Sequence, residues 1–212
     1  MPGLPVRDIS RSTKTSVYIS WSAVVPVDGL PIDGYMLNMT KLGTGLSSCV
    51  YNGSANSEKL FFNVTGLETG VRYAFRVSSV NFNGISLPGP ELHVIICVPP
   101  TLFPKPYYIA STASSVTIGW QTPSDLGGCP LQGYELFIND GLGGTAFNGI
   151  DSTVLANRPY IHSHTITNQA GADPATPGAA LVTGNPYRFK LKAFNENGEV
   201  FSTNYLEVVV AS

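Results

Sequence analysis

The chain contains little charge and no long apolar run, and each shortage excludes a class of function. Only 12% of its 212 residues are Asp, Glu, Lys or Arg, and the formal net charge is −2. Nucleic-acid binding requires a basic surface, so nucleic acid is not expected as a partner. No apolar stretch reaches membrane-spanning length and no charged-then-apolar leader opens the chain, so direct membrane insertion is not expected.

The residues that are abundant favour short strands joined by turns. Hydrophobic residues make up 43% of the chain, and it contains 22 Gly and 16 Pro. This mixture is typical of all-β domains rather than helical ones. No credible amphipathic helix is found along the chain.

One sequence pattern occurs twice and divides the chain. Trp21 is followed by a Pro/Gly-rich stretch and Tyr35, and Trp120 is followed by a similar stretch and Tyr134. The two tryptophans are 99 residues apart, as are the two tyrosines. A period of this length indicates two domains.

Alternating apolar residues predict matching strands in the two halves. Two antiparallel sheets packed face to face then form each half, so the predicted fold is all-β. We predict a first domain over 1–98, a Pro-rich linker over 99–106 that leads into the first strand of the second domain, and a second domain over 107–212. The alternating positions are Val17, Ile19 and Trp21 in the first half and Val116, Ile118 and Trp120 in the second.

A second shared motif, Leu-x-x-Gly-x-x-Tyr followed by Asn-x-x-Gly, completes the pattern. Its positions are Leu67, Gly70, Tyr73, Asn81 and Gly84 in the first half and Leu181, Gly184, Tyr187, Asn195 and Gly198 in the second. Together with the Trp and Gly-Tyr pattern, these residues closely resemble fibronectin type III domains over nearly the whole chain. The resemblance implies two seven-stranded, immunoglobulin-like β-sandwiches in tandem. It also implies a tyrosine corner at Tyr73 and Tyr187, where the hydroxyl bonds the backbone near the turn between strands E and F.

The second half carries 15 extra residues between strands C and F, most of them before Leu181. We predict an enlarged E–F loop over 168–180. One interpretation is a tolerated flexible loop. The other is a contact loop for a following module or partner, through Ala172, Asp173 and Pro174.

Three cysteines are present, which leaves one over if two of them pair. The family fold needs no disulfide, so buried free thiols are one interpretation. The resemblance implies that Cys97 ends strand G at the pole facing the second domain, and that Cys129 lies in the second domain's B–C loop. An interdomain Cys97–Cys129 disulfide is the alternative, and Cys49 is less suited to pair with Cys97.

Residue patterns for catalysis, metal binding and cofactor binding are absent from the sequence. His162 and His164 share one strand face, but only Asp173 is a loose third candidate ligand, so a solvated face is favoured. The run Gly141–Gly144 lacks the Lys-Ser/Thr of a phosphate loop and is interpreted as a C–C′ turn. We expect no enzyme activity, no cofactor and no metal.

Loops and sequons are the remaining candidate sites. Phe82, Asn83 and Ile85 in one F–G loop, and Asn197 in the other, are candidate contact residues, although apolar loop residues more often fold back on the sandwich. The Arg-Gly-Asp tripeptide known in the family's F–G loops is absent. N-glycosylation sequons begin at Asn38, Asn52 and Asn63, and strand alternation predicts that Asn38 and Asn63 face solvent.

The first functional hypothesis is a non-catalytic spacer, adhesion or scaffold module of a larger extracellular or cell-surface protein. Its partners would be other proteins and neighbouring modules of the parent chain. Met1-Pro2-Gly3 resembles an expression start, and we therefore expect the chain to be a piece of a longer protein.

Two other hypotheses stay open. The segment from Pro123 to Tyr134 looks like the B–C segment of titin-type repeats, which implies a cytoplasmic structural array. A third hypothesis is an accessory module of a secreted polysaccharide-degrading enzyme. Alternation is expected to bury one residue each of the pairs Tyr107-Tyr108 and Phe61-Phe62, which disfavours an aromatic platform for carbohydrate.

Overall fold

The chain folds into two compact units, Met1–Val98 and Pro99–Ser212. The structure is a computed structural model, and it describes residues 1–26, 29–171 and 177–211. Each unit has a hydrophobic core of its own. The units are called domain 1 and domain 2 below.

Domain 1 consists of two antiparallel sheets. One sheet has the order β1-β2-β5, and the other has the order β4-β3-β6, with both β7 and β8 paired to β6. The strands are β1 (Val6–Asp8), β2 (Val17–Ser20), β3 (Gly34–Lys41), β4 (Leu46–Gly53), β5 (Phe61–Val64), β6 (Arg72–Asn81), β7 (Gly84–Ile85) and β8 (Leu92–Ile95).

The core of domain 1 lies where the two sheets face each other. Val17 and Ile19 on β2 are fully buried, as are Leu37 on β3 and Phe75 and Val77 on β6. They alternate with less buried residues along β3, because successive side chains of a strand point to opposite faces, whereas β6 buries residues on both faces. The predicted period-2 pattern therefore describes the inner face of the sandwich.

Domain 2 repeats this arrangement. One sheet has the order β13-β10-β9, and the other has the order β12-β11-β16, with both β17 and β18 paired to β16. The elements are β9 (Tyr107–Thr112), β10 (Ser115–Gly119), β11 (Gly133–Ile138), β12 (Asn148–Ile150), α1 (Ser152–Leu155), β13 (Ser163–Ile166), β14 (Asn168–Ala170), β15 (Pro177–Ala180), β16 (Pro186–Asn195), β17 (Gly198–Phe201) and β18 (Leu206–Val209). The predicted all-β sandwiches are confirmed.

Domain 2 differs from domain 1 at two places. The one-turn helix α1 follows β12, and it contributes the fully buried Leu155 to the core. The predicted E–F loop begins and ends in a short antiparallel pair, β14 with β15, in which the Asn168 amide donates to the Gly178 carbonyl at 3.0 Å. The ends of the insertion are therefore strands rather than unstructured loop.

Candidate interaction surfaces

The two tyrosine corners have the same hydrogen bond. In domain 1 the backbone N–H of Glu68 donates to the Tyr73 hydroxyl at 3.3 Å. In domain 2 the N–H of Val182 donates to the Tyr187 hydroxyl at 3.1 Å. Both tyrosines are buried, so these residues hold the E–F turn in place and do not offer a contact surface.

The B–C segments differ in one hydrogen bond. In domain 1 the Val24 N–H donates to the hydroxyl of buried Tyr35 at 2.9 Å. The corresponding position in domain 2 is Pro123, which has no N–H to donate. The hydroxyl of fully buried Tyr134 makes no hydrogen bond of good geometry within the described structure and has only a marginal contact with the Trp120 side chain. Burial raises the pKa of Tyr134 to about 12, because the charged phenolate is poorly solvated there.

The F–G loop of domain 1 exposes apolar side chains. Phe82 is 89% exposed and Ile85 is 62% exposed, so these two residues do not fold back on the sandwich. Between them, the Asn83 N–H donates to the Asn81 side chain at 3.0 Å. The loop borders a surface cavity of about 520 Å³ whose lining combines Asn81, Asn83 and Ile85 with residues of the B–C segment such as Val25. This pole of domain 1 therefore exposes apolar side chains from both the F–G loop and the B–C segment.

The F–G loop of domain 2 is fixed by polar contacts instead. Asn197 is half-buried, and its N–H donates to the Asn195 side chain at 2.9 Å. The Asn195 amide also donates to the Leu126 carbonyl in the B–C loop at 2.9 Å. A Cβ atom at Gly198 would lie 2.7 Å from the Pro99 ring, so only glycine fits beside the linker residue. Asn197 is therefore a weaker contact candidate than Phe82.

The three residues proposed as contacts in the insertion, Ala172, Asp173 and Pro174, lie outside the described residues. The three sequon asparagines are all described. Asn52 on β4 and Asn63 on β5 are exposed, whereas Asn38 on β3 is half-buried. Asn38 lines a second surface cavity of about 270 Å³, together with Arg76 and Glu91.

The cysteines have different environments. Cys49 is a free, exposed thiol on β4. Cys97 and Cys129 are buried, and the Cys97 carbonyl accepts a hydrogen bond from the Arg7 guanidinium at 2.6 Å. Since Cys97 belongs to domain 1 and Cys129 to domain 2, their pairing stays a prediction.

His164 is paired with a carboxylate of domain 2. His164 Nε2 lies 2.8 Å from the Asp151 carboxylate, and both side chains are largely buried. The solvated face predicted for His162 and His164 does not extend to His164, because its side chain is largely buried against Asp151 at the start of α1. No group of three or more His, Cys, Asp or Glu residues in the described part of the chain lies close enough together to hold a metal ion.

The strand that opens domain 2 carries two exposed tyrosines. Tyr107 is 49% exposed and Tyr108 is 50% exposed, so the expectation that alternation buries one of them is wrong. The pairing of β9 with β10 shifts register at Ile109, and β9 lies at a sheet edge, so alternation does not sort its residues into core and solvent. Phe61 is also 44% exposed, and its ring stacks on Tyr18 at 5.3 Å.

A strip of cations and aromatic rings covers the outer face of domain 2. Lys190 lies 4.9 Å from the Phe201 ring, and Lys192 lies 5.7 Å from the Phe137 ring. Lys192 also contacts Glu135 at 2.7 Å and Glu199 at 3.0 Å. Burial alone would lower the pKa of Lys192, but the two carboxylates raise it above its usual value. The alternation of Arg188, Lys190 and Lys192 along β16 is the sequence signal that predicts this strip.

No helix in the described residues has the length and the apolar composition that crossing a membrane requires. Within the described residues, the candidate contact residues of each domain lie at its surface. They are distributed over the F–G loops, the strand edges and the outer sheet faces, which are surfaces suited to contacts with other proteins.

Comparison with known proteins places this architecture in a family. Residues 5–95 match the model of the fibronectin type III domain. Myomesin-2 from Homo sapiens is 30% identical over 210 residues, which cover 93% of this chain and 12% of that protein. "M-protein, striated muscle" from Gallus gallus is 32% identical over 141 residues, which cover 64% of this chain and 9% of that protein.

An enzyme and a solved structure are also similar to this chain. Exoglucanase B from Cellulomonas fimi is 29% identical over 196 residues, which cover 86% of this chain and 17% of that enzyme. The crystal structure of chicken CNTN1 FN1–FN3 domains is 20% identical with a TM-score of 0.40, covering 100% of this chain and 67% of that one. The chain thus spans less than a fifth of the length of the curated relatives named here.

Both domains are immunoglobulin-like β-sandwiches with the same strand order. The chain is a tandem pair of fibronectin type III domains and a non-catalytic module.

Proposed function

We propose that the chain is a structural segment of an intracellular array of similar domains, in which it sets spacing and presents surfaces for protein binding. The observation that carries this proposal is the similarity to Myomesin-2 over 93% of the chain, which includes both domains and the joint between them. A protein named "Titin homolog" from Caenorhabditis elegans is also 24% identical over 90% of the chain. The titin-like B–C segment from Pro123 to Tyr134 supports the same assignment.

The surfaces of both domains are compatible with this role. A spacer needs domains that fold on separate cores and a surface without large fields of one charge sign. Each domain has its own core, and Arg188 and Lys192 of the strip on domain 2 are paired with Glu207 and Glu135. Partner proteins would then bind at the exposed loop pole around Phe82 and at strand edges.

Localisation of the natural protein tests the proposal. An antibody raised against the chain should stain permeabilised cells of the source organism and leave intact cells unstained. Staining of intact cells, or recovery of the protein from the medium, contradicts the intracellular assignment and favours the extracellular spacer hypothesis.

A second candidate function is that of an accessory module in a polysaccharide-degrading enzyme. The similarity to Exoglucanase B and the exposed pair Tyr107-Tyr108 favour it. Consecutive residues of a strand point to opposite faces, so the two rings do not form one flat platform. Sedimentation with microcrystalline cellulose decides this point, since an accessory module would be depleted from the supernatant and a Tyr107→Ala, Tyr108→Ala variant would not.

A further inference from the structure

Strand β4 of domain 1 is a long sheet edge that pairs with no described strand other than β3. It is the terminal strand of its sheet and has eight residues, whereas the other described edge strands have six or fewer. Its residues from Leu46 to Cys49 are exposed. A long exposed edge presents unpaired backbone N–H and C=O groups that can pair with another strand.

The same edge in domain 2 is protected. The corresponding strand, β12, has only three residues and is followed directly by α1. Strand β14 of the insertion also lies beside β12 and β11. Short edge strands and covering elements are two of the devices by which proteins prevent edge-to-edge pairing. Strand β4 is longer, and the described part of domain 1 contains no helix that could cover it.

The charge pattern of β4 also permits pairing. No charged residue occurs between Lys41 and Glu58, so the strand and its flanking turns are neutral. Two copies of β4 can therefore approach each other without like-charge repulsion. A two-fold axis places the same patch of each copy opposite itself, which an antiparallel strand pair satisfies.

We propose that β4 pairs antiparallel with β4 of a second copy of this chain and extends the sheet of domain 1 across a two-fold axis. In the central register, Cys49 lies opposite Cys49 of the second copy, and residues 46–52 of the two strands overlap. Opposite residues in antiparallel strands have Cα atoms about 4.5–5.5 Å apart, which is within the range that a disulfide spans. Cys49 is a free thiol, so it reports directly on this register.

A bulge in β4 weakens the proposed pairing. The pairing of β3 with β4 shifts register between Leu37 and Asn38, which leaves Val50 as an extra residue on β4. Such a bulge adds twist to the edge. The dimer is therefore expected to be weak and dependent on protein concentration. A glycan on Asn52 would block it, so unglycosylated recombinant chain is the material to use.

Sedimentation equilibrium with matched variants tests the proposal. The mass of the unmodified chain should rise from 22.5 kDa toward twice that value as its concentration increases to about 1 mM, the range of weak complexes. Cys49→Ser should associate equally well under reducing conditions. Cys49→Lys places two ammonium groups opposite each other and should weaken association by roughly tenfold or more. Ser163→Lys, which adds the same charge to an exposed edge residue of domain 2, should have no effect.

Cross-linking gives an independent measurement of register. With oxidised glutathione as the oxidant, one Cys49 thiolate forms a mixed disulfide and releases one glutathione, and Cys49 of the second copy then displaces the other. The expected product is a covalent dimer whose disulfide peptide contains Cys49 twice. A mass that stays at 22.5 kDa at every concentration, or equal association of Cys49→Lys and Cys49→Ser, overturns the proposal.

Discussion

Tyr35 and Tyr134 occupy equivalent positions but have different hydrogen bonds, and this difference gives a prediction at the scale of one atom. Tyr35→Phe leaves the Val24 N–H without its acceptor, so we expect a loss of about 1 kcal/mol in the free energy of unfolding of domain 1. Tyr134→Phe removes a buried hydroxyl whose contact with Trp120 is only marginal, so stability should stay about equal or increase by up to ~1 kcal/mol. Urea unfolding of both variants measures the contrast, and equal losses would contradict it.

The raised pKa of Tyr134 predicts that the stability of domain 2 depends on alkaline pH. The pKa of this tyrosine in the folded state is raised from 10.0 to about 12. The unfolded state therefore loses this proton first, and the stabilisation that is complete below pH 10 is lost as the pH rises to 12. The loss attributable to Tyr134 is about 3 kcal/mol at most. Unfolding of the native chain and of Tyr134→Phe between pH 9 and pH 12 measures it, and parallel curves would show that Tyr134 does not contribute.

Two glycines in one turn separate backbone strain from packing. Gly141 and Gly143 both have positive φ, at 69° and 86°. A Cβ at Gly141 would lie 2.5 Å from the Tyr187 ring, whereas a Cβ at Gly143 meets nothing within 4 Å. Gly143→Ala should cost about 1–2 kcal/mol from backbone strain alone. Gly141→Ala should cost about 1–3 kcal/mol more because it also clashes with the tyrosine corner. Thermal unfolding of the two variants tests this order.

At the scale of elements, the repeated patterns predicted the strands that pack in the core. Trp21, Tyr35 and Tyr73 lie in the core of domain 1, and their equivalents lie in the core of domain 2. These positions are set by burial, and burial imposes alternation on the sequence. The elements that were not predicted carry weaker patterns, because they lie at sheet edges or are very short. Examples are α1, the β14–β15 pair and the shifted register at Ile109.

Sequence patterns also predicted the candidate sites only in part. The exposure of Phe82 and Ile85 and the pairing of His164 with Asp151 depend on contacts between segments that are distant in the sequence. Strand alternation indicates which face a residue occupies, but it does not report what another segment places against that face. Edge strand β4 shows the same limit, since its position at the end of the sheet is evident only from the sheet order.

At the scale of the whole molecule, separate cores predict separate unfolding transitions. Ile19 and Ile118 are fully buried at equivalent positions in the two domains. Ile19→Ala should lower the stability of domain 1 by about 2–5 kcal/mol and leave the transition of domain 2 unchanged, and Ile118→Ala should do the reverse. Differential scanning calorimetry measures both transitions. A single transition that moves with either variant would contradict independent cores.

The predicted Cys97–Cys129 disulfide is also a property of the whole chain. Thiol titration of the denatured, unreduced protein should give one reactive thiol, that of Cys49, if the bridge is present. Three reactive thiols would contradict the bridge.

The proposed role as part of an intracellular array has its most direct test in the three sequons of domain 1. Asn52 and Asn63 are exposed on β4 and β5, so a protein that passes through the secretory pathway offers them to glycosylation. The decisive measurement is mass spectrometry of peptides containing Asn38, Asn52 and Asn63 from the natural protein. The proposal predicts unmodified masses for all three peptides. A glycan on any of them would contradict it.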